Sequence, residues 1–165
     1  NANSNTAEPN APFNEQSVPW KESLRDDQFG VRWRSLSGHK GPQPYKIGFN
    51  IEELPPGRQS CPAHWHVREE EHIYILSGAL TVRIGQRRHV MGPGDYVRFP
   101  AGAAEEHAIC NHTAEPCRFI MVGAYEPDEV CVYPDSDKVS IRPLGLRFRR
   151  GDATDYWDGE DKITV

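Results

Sequence analysis

From Val31 onward, apolar and polar side chains alternate with a period of two, the signature of half-buried β-strands. In "YKIGFNIEEL", Tyr45, Ile47, Phe49 and Ile51 share one face, and Lys46, Asn50 and Glu52 share the other. The "PPG" at 55–57 ends that strand, because prolines cannot donate to a ladder. Short strands are then predicted at roughly 62–67, 71–77, 79–84, 86–91, 95–99, 106–111 and 117–125, punctuated by glycines at 78, 85, 92, 94 and 102. "CRFIMVGAY" is apolar on both parities, which predicts a strand buried on both faces. Outside this region the pattern weakens. Residues 1–19 lack periodicity and are rich in Asn, Pro, Ala and Ser, so they read as a flexible N-terminal arm. "WKESLRDDQFG" suggests a short helical turn, and "RPLGLRFRRGDATDYWDGEDKITV" an irregular tail packed along the outside. The fold class is therefore all-β, a sandwich or barrel. A single domain over 20–165 carries the C-terminal tail.

Composition adjusts this picture only slightly. The chain of 165 residues suits one domain, and its 14 glycines and 14 prolines fit a turn-rich β protein. A net charge of −5 argues against nucleic-acid binding, which needs a clustered basic face. No apolar run approaches the roughly 20 residues needed to span a bilayer, and no signal-peptide pattern is present, so no membrane partner and a cytoplasmic location are expected. Cys61, Cys110, Cys117 and Cys131 form no C-x-x-C pair and read as reduced core thiols.

The candidate chemistry is concentrated in "HWHVREEEHIYILSG", residues 64–78. His64 and His66 are two apart, so on one strand both imidazoles project from the same face and Trp65 from the other. A bend over 67–70 would bring Glu71 onto the histidine face, with Ile73 and Ile75 continuing it. An unbent strand would place Glu70 there instead; the apolar partners favour Glu71. A fourth donor, His107, follows the "PAG" turn in "GPGDYVRFPAGAAEEHAICN". Three imidazoles and a carboxylate suit one divalent transition metal ion: zinc, iron, manganese, nickel or cobalt. They would leave it with net positive charge and, if octahedral, with open positions.

These two stretches resemble the paired motifs of the cupin superfamily. Gly57, His64, His66, Glu71 and Gly78 fill the first motif, and the six residues between Glu71 and Gly78 support Glu71 over Glu70. Gly94, Pro100, Gly102, His107 and Asn111 fill the second. There are two departures. Six residues rather than five separate Gly57 from His64, and four rather than two separate Gly102 from His107, which questions how His107 approaches. The resemblance covers about residues 45–125. It implies a jelly-roll β-barrel with a metal held by His64, His66, Glu71 and His107. The phrases "YPDSD" and "DYWDGE" further resemble a group of bacterial single-domain cupins.

Neighbouring residues read more simply. His72 has the parity opposite to Glu71 and is expected to be structural, while His39, His89 and His112 lie away from the constellation. Glu69, Glu70, Glu105 and Glu106 read as solvated turn carboxylates, although Glu105 or Glu106 could reach the mouth as a base. Cys61 has the wrong parity for a thiolate ligand. Arg83, Arg98 and Tyr96 sit on adjacent strands, where one could bind a substrate anion but an outer face is the ordinary expectation. Asn111 should satisfy nearby backbone groups. The leading functional expectation is a metal-dependent enzyme acting on a small polar molecule in the barrel, either an oxygenase or like the superfamily's sugar-phosphate isomerases. The alternative is a non-catalytic small-molecule binding or sensor protein. The resemblance also implies a homodimer, with Phe13 and Trp20 as candidate anchors.

Overall fold

The computed structural model describes residues 11–39 and 44–162, so the expectation for residues 1–10 of the arm lies outside the described residues. In chain order the strands are β1 (Lys21–Arg25), β2 (Phe29–Ser35), β3 (Ile47–Leu54), β4 (Trp65–His66), β5 (Glu71–Ser77), β6 (Leu80–Ile84), β7 (Arg87–Met91), β8 (Tyr96–Phe99), β9 (His107–Cys110), β10 (Cys117–Ala124), β11 (Val130–Tyr133), β12 (Lys138–Ile141) and β13 (Leu146–Arg149). They form a six-stranded sheet, β1-β2-β3-β10-β5-β8, a three-stranded sheet, β7-β6-β9, and a four-stranded sheet, β13-β12-β11-β4. Every pairing between these strands is antiparallel. This is the all-β architecture that the alternation predicts, in the jelly-roll form that the resemblance implies. No helix among the described residues is long and apolar enough to cross a membrane.

The core lies between the six-stranded sheet and the three-stranded sheet. Leu54, Ile73, Ile75, Leu80, Val82, Ile109 and Phe119 are all at most 3 % exposed. Each such side chain contributes about 1.5–3 kcal/mol on burial. β10 occupies the middle of its sheet, paired with β3 on one side and β5 on the other. Its Cys117 and Phe119 point into the core while Ile120 and Val122 are half-buried opposite, consistent with apolar residues on both parities. β3 is less conventional. Its interior face is the one with Glu52 and Leu54, both buried, whereas Ile47 is 59 % exposed. A barrel that encloses a polar chamber needs polar side chains pointing inward.

Three segments differ from their sequence reading. The stretch after Trp20 is a β-hairpin, not a helical turn: β1 and β2 pair across Asp26–Gln28. Asp26 takes the left-handed conformation (φ 50°), and the Arg58 guanidinium donates to the carbonyls of Asp26 and Phe29 at 2.7 Å each. The tail from Arg142 is not irregular throughout: its β13 completes a meander with β11 and β12, and among its described residues the only stretch without strand or helix is 153–162, with Tyr156 and Trp157 exposed. The predicted strand 62–67 shrinks to the two residues of β4, because the chain bends at 67–68 and only Trp65 and His66 pair with β11. The described part of the arm is docked: Val18 is buried and the Glu15 carboxylate meets Arg118 at 2.9 Å and Arg34 at 3.7 Å. The Trp20 ring lies under the guanidinium groups of Arg32 and Arg34 from its own chain.

Turn chemistry holds the barrel ends. Gly78 adopts φ 77°, and a Cβ there would sit 2.5 Å from the Pro116 carbonyl oxygen. Asn111, fully buried, satisfies four groups: its amide donates to the carbonyls of Leu54 (2.9 Å) and Glu115 (2.8 Å), and its oxygen accepts from the Thr113 N–H and hydroxyl. Asn111→Ala should therefore destabilise the protein by about 2–4 kcal/mol in urea unfolding, since it strands buried partners as well as removing bonds. A loss below about 0.5 kcal/mol would refute the structural role of this amide.

Candidate metal centre

Glu129 sets the local backbone. Its carboxylate, 1 % exposed, accepts from the N–H groups of Val67 (2.9 Å), Arg68 (3.0 Å) and Glu69 (2.8 Å). Three successive amides aimed at one carboxylate make a tight bend between β4 and β5. The bend shifts the strand phase by one residue. As a result Glu71, not Glu70, joins His66 on the inner face. Glu70 turns outward, where it bonds Arg98 (2.5 Å) and approaches His72 (3.1 Å).

His107 is placed independently of the longer "AAEE" loop. Its backbone exchanges both hydrogen bonds with His64 (3.1 and 2.8 Å), it pairs with Ile84 on β6, and its ring stacks on Phe99 at 3.8 Å. The insertion therefore leaves the histidine where the motif expects it. Four donors result, one each from His64, His66, Glu71 and His107, all within 4.8 Å of one another. The His64 and His66 Nε2 atoms are 3.1 Å apart, Glu71 Oε2 is 3.1 Å from His107 Nε2 and 3.5 Å from His66 Nε2. His64 Nδ1 donates to the Pro62 carbonyl at 2.8 Å, which directs the Nε2 lone pair to the centre. Lone pairs of this kind converging in a half-buried pocket fit a divalent ion, and the N/O donor set suits a borderline transition metal.

The charges around the donors favour that use. Burial, helped by His107, pushes His64 down to about 4, so it is neutral at physiological pH. Burial opposes charge on Glu71, but hydrogen bonds from His107 and His66 outweigh it and hold the carboxyl well below its ordinary range. For His66, burial would lower the value; Glu71, Glu129 and Glu69 overcome it and raise it. The Nδ1 of His66 is buried without a hydrogen-bond partner, with Glu129 at 3.4 Å and Glu69 at 3.5 Å as its nearest carboxylates. Glu69 is itself clamped by both Nη atoms of Arg142 and by the Glu126 N–H. Far from being a solvated turn carboxylate, Glu69 is buried beside His66 and held by Arg142.

The other expected neighbours are engaged by partners outside the donor set. Glu105 is bound by Arg87 at 2.8 Å, Arg83 by Asp135 at 2.6 Å, and Tyr96 and His72 bond each other on the outer face. Phe13 packs on His39 and His112 bonds Thr81. Cys61 lies 3.7 Å from His64 Nδ1, but burial pushes its thiol up to about 12, so it is not a thiolate donor. The residue that sequence reasoning passed over is Glu52. With Asn50 it lines the same 320 Å³ chamber as all four donors. Burial, opposed by a hydrogen bond from Asn50, pushes its carboxyl up to about 7. Its sequence signal was present but slight: a carboxylate sharing its strand face with Leu54, one turn of the pleat away.

Two outcomes are expected. His64→Ala should lower affinity for zinc or manganese by about a hundredfold or more in calorimetric titration, while Glu70→Gln leaves it unchanged; the reverse result would sink the phase argument. In chelator, Glu52 holds a proton in the folded state that the unfolded chain releases between pH 4.5 and about 7. Stability is thus present below that window and is lost as pH rises through it. The wild-type protein should lose on the order of 2–3 kcal/mol relative to Glu52→Gln between pH 4.5 and 8.

Residues 50–123 match the family model of the cupin domain. Among solved structures, a proposed sugar phosphate isomerase from Acidithiobacillus ferrooxidans is 28 % identical with a TM-score of 0.69, covering 76 % of this chain and 80 % of that one. A sugar phosphate isomerase of the cupin superfamily from Silicibacter pomeroyi is 25 % identical with a TM-score of 0.72, covering 90 % and 98 %. A predicted oxalate decarboxylase from Thermotoga maritima, 22 % identical with a TM-score of 0.58 over 70 % and 100 %, shares the fold. No curated protein matches the sequence. The two motifs, the barrel and the matched segment together identify residues 50–123 as a cupin domain.

Proposed function

We propose that this cupin is a metal-dependent isomerase of a small, oxygen-rich molecule, of the sugar-phosphate class. The observation that carries the reading is Glu52: an acid–base carboxyl inside the chamber that the four donors also line. Interconverting a hydroxy-carbonyl pair requires a proton to leave one carbon and return to its neighbour. Glu52, held by Asn50 at 3.1 Å, is placed to take and return it, with a proton affinity near neutrality that suits both steps. A divalent ion held by His64, His66, Glu71 and His107 would polarise the carbonyl and its adjacent hydroxyl. The similarity to the isomerases from Acidithiobacillus ferrooxidans and Silicibacter pomeroyi supports the same class.

An oxygenase would need no such carboxyl, and a closed sensor shell would need no chamber beside the donors. The test is exchange in deuterated water. Metal-loaded protein incubated with aldose and ketose phosphates should place deuterium on the carbon beside the carbonyl, and Glu52→Gln should slow this by roughly 10²–10⁴-fold with metal content unchanged. Dioxygen consumption without isotope exchange would overturn the proposal in favour of oxygenase chemistry.

A further inference from the structure

The C-terminal sheet aligns four side chains in one row. His66 on β4 lies opposite Cys131 on β11, Cys131 opposite Ser140 on β12, and Ser140 opposite Arg147 on β13. Directly paired residues present their side chains on the same face. All four line a second cavity of about 380 Å³, which meets the donor set at His64 and His66 and is not lined by Glu52. His64 and His66 therefore border both chambers. Three inter-strand steps of about 4.8 Å put Arg147 on the order of 14 Å from His66, measured between backbones. The arginine side chain spans part of that distance, and the remainder accommodates a ligand several bonds long.

The charges at the far end of the row are uncompensated. Arg142, nearer the donors, is neutralised by its two-pronged pairing with Glu69. Arg147 has no ion-pair or hydrogen-bond partner among the described residues. The adjoining row, Tyr133–Lys138–Arg149, places two more cations on the same face, likewise without carboxylate partners among the described residues. Tyr133 ties this row to the donors: its ring lies 5.7 Å from that of His64 and 5.6 Å from the Lys138 ammonium. A planar guanidinium fork facing a cavity, flanked by two further positive charges, matches a dianionic phosphate better than a singly charged carboxylate.

We infer that this cavity is the anion end of the substrate site: a phosphate group docks at Arg147 while the oxygen-rich end of the same molecule reaches the four donors. The inference rests on reading those donors as the reaction centre, and it adds a specificity determinant from outside the cupin motifs. Arg147 is exposed on the terminal strand of its sheet, so its replacement should leave the fold intact, as circular dichroism would verify.

The experiment titrates inorganic phosphate into the full chain by calorimetry, in chelator to keep phosphate off the donors, with acetate as the carboxylate arm. Wild type should bind phosphate in preference to acetate, Arg147→Ala should weaken phosphate binding about tenfold or more, and Arg147→Lys should restore part of the loss. Absence of phosphate binding by wild type, equal affinity in the variant, or preference for acetate would each overturn the inference. Failure of the isomerase reading looks different: Arg147-dependent phosphate binding without isotope exchange on any sugar phosphate leaves the anion site standing. Conversely, turnover of a sugar phosphate with an unchanged KM in Arg147→Ala removes the anion site and keeps the isomerase.

Discussion

Three backbone amides pointing at one buried carboxylate hold this protein's chemistry in phase. A β-strand alternates its side chains strictly, so a one-residue shift carries every side chain to the opposite face. Without the bend that Glu129 secures over Val67–Glu69, β4 and β5 would run as one continuous strand, with Glu70 inside and Glu71 in solvent. The isoleucines after Glu71 would lose the core at the same time, because Ile73 and Ile75 share its parity and are almost wholly buried. The hydrophobic core and the donor set therefore depend on the same few hydrogen bonds. That coupling explains why a charged residue is tolerated at 1 % exposure: its desolvation is offset by charge-assisted bonds that no apolar residue could make.

Behind the donors lies a dense carboxylate arrangement. Glu52, Glu69, Glu71 and Glu129 converge on the barrel interior, and Arg142 is the cation paired with one of them. Such a concentration of negative charge is costly in a low-dielectric interior unless protons or cations balance it. The protein uses several remedies at once. Glu129 is satisfied by backbone amides, Glu69 by Arg142, and Glu71 by imidazoles, whereas burial raises Glu52 to about 7. A divalent cation among the donors would relieve the close approach of the His64 and His66 Nε2 atoms, 3.1 Å apart.

Much of this was legible in the sequence, for local reasons. Period-two alternation located β3, β5, β6, β7, β8, β9 and β10 to within a few residues, and the spacing of His64, His66, Glu71 and His107 pointed to a shared site. The readings that failed depend on distant contacts. The hairpin of β1 and β2 has a charged, weakly alternating sequence that is stabilised by Arg58 from another part of the chain. Nothing near Glu129 in sequence announces that it will receive amides some 60 positions away. Glu52 was visible but was assigned to the polar face of a strand whose polar face turned out to be the interior. Parity determines which residues travel together; only the closed barrel determines which set goes inside. The C-terminal meander was missed because its strands are short and their apolar residues are modest, as in "KVSI" and "LRFR".

The partition of the site along the chain has a further consequence. The four donors and Glu52 all fall between residues 50 and 123, the stretch that defines the cupin domain. Glu129, Tyr133, Arg142 and Arg147 come from the meander that follows it. On the proposed reading, reactivity and recognition are encoded in separate, consecutive blocks of one polypeptide, joined where β4 pairs with β11 over only two residues. Grafting a different meander that keeps Glu129 and Arg142 onto the same barrel would be a direct way to redirect what this centre accepts without disturbing the centre itself.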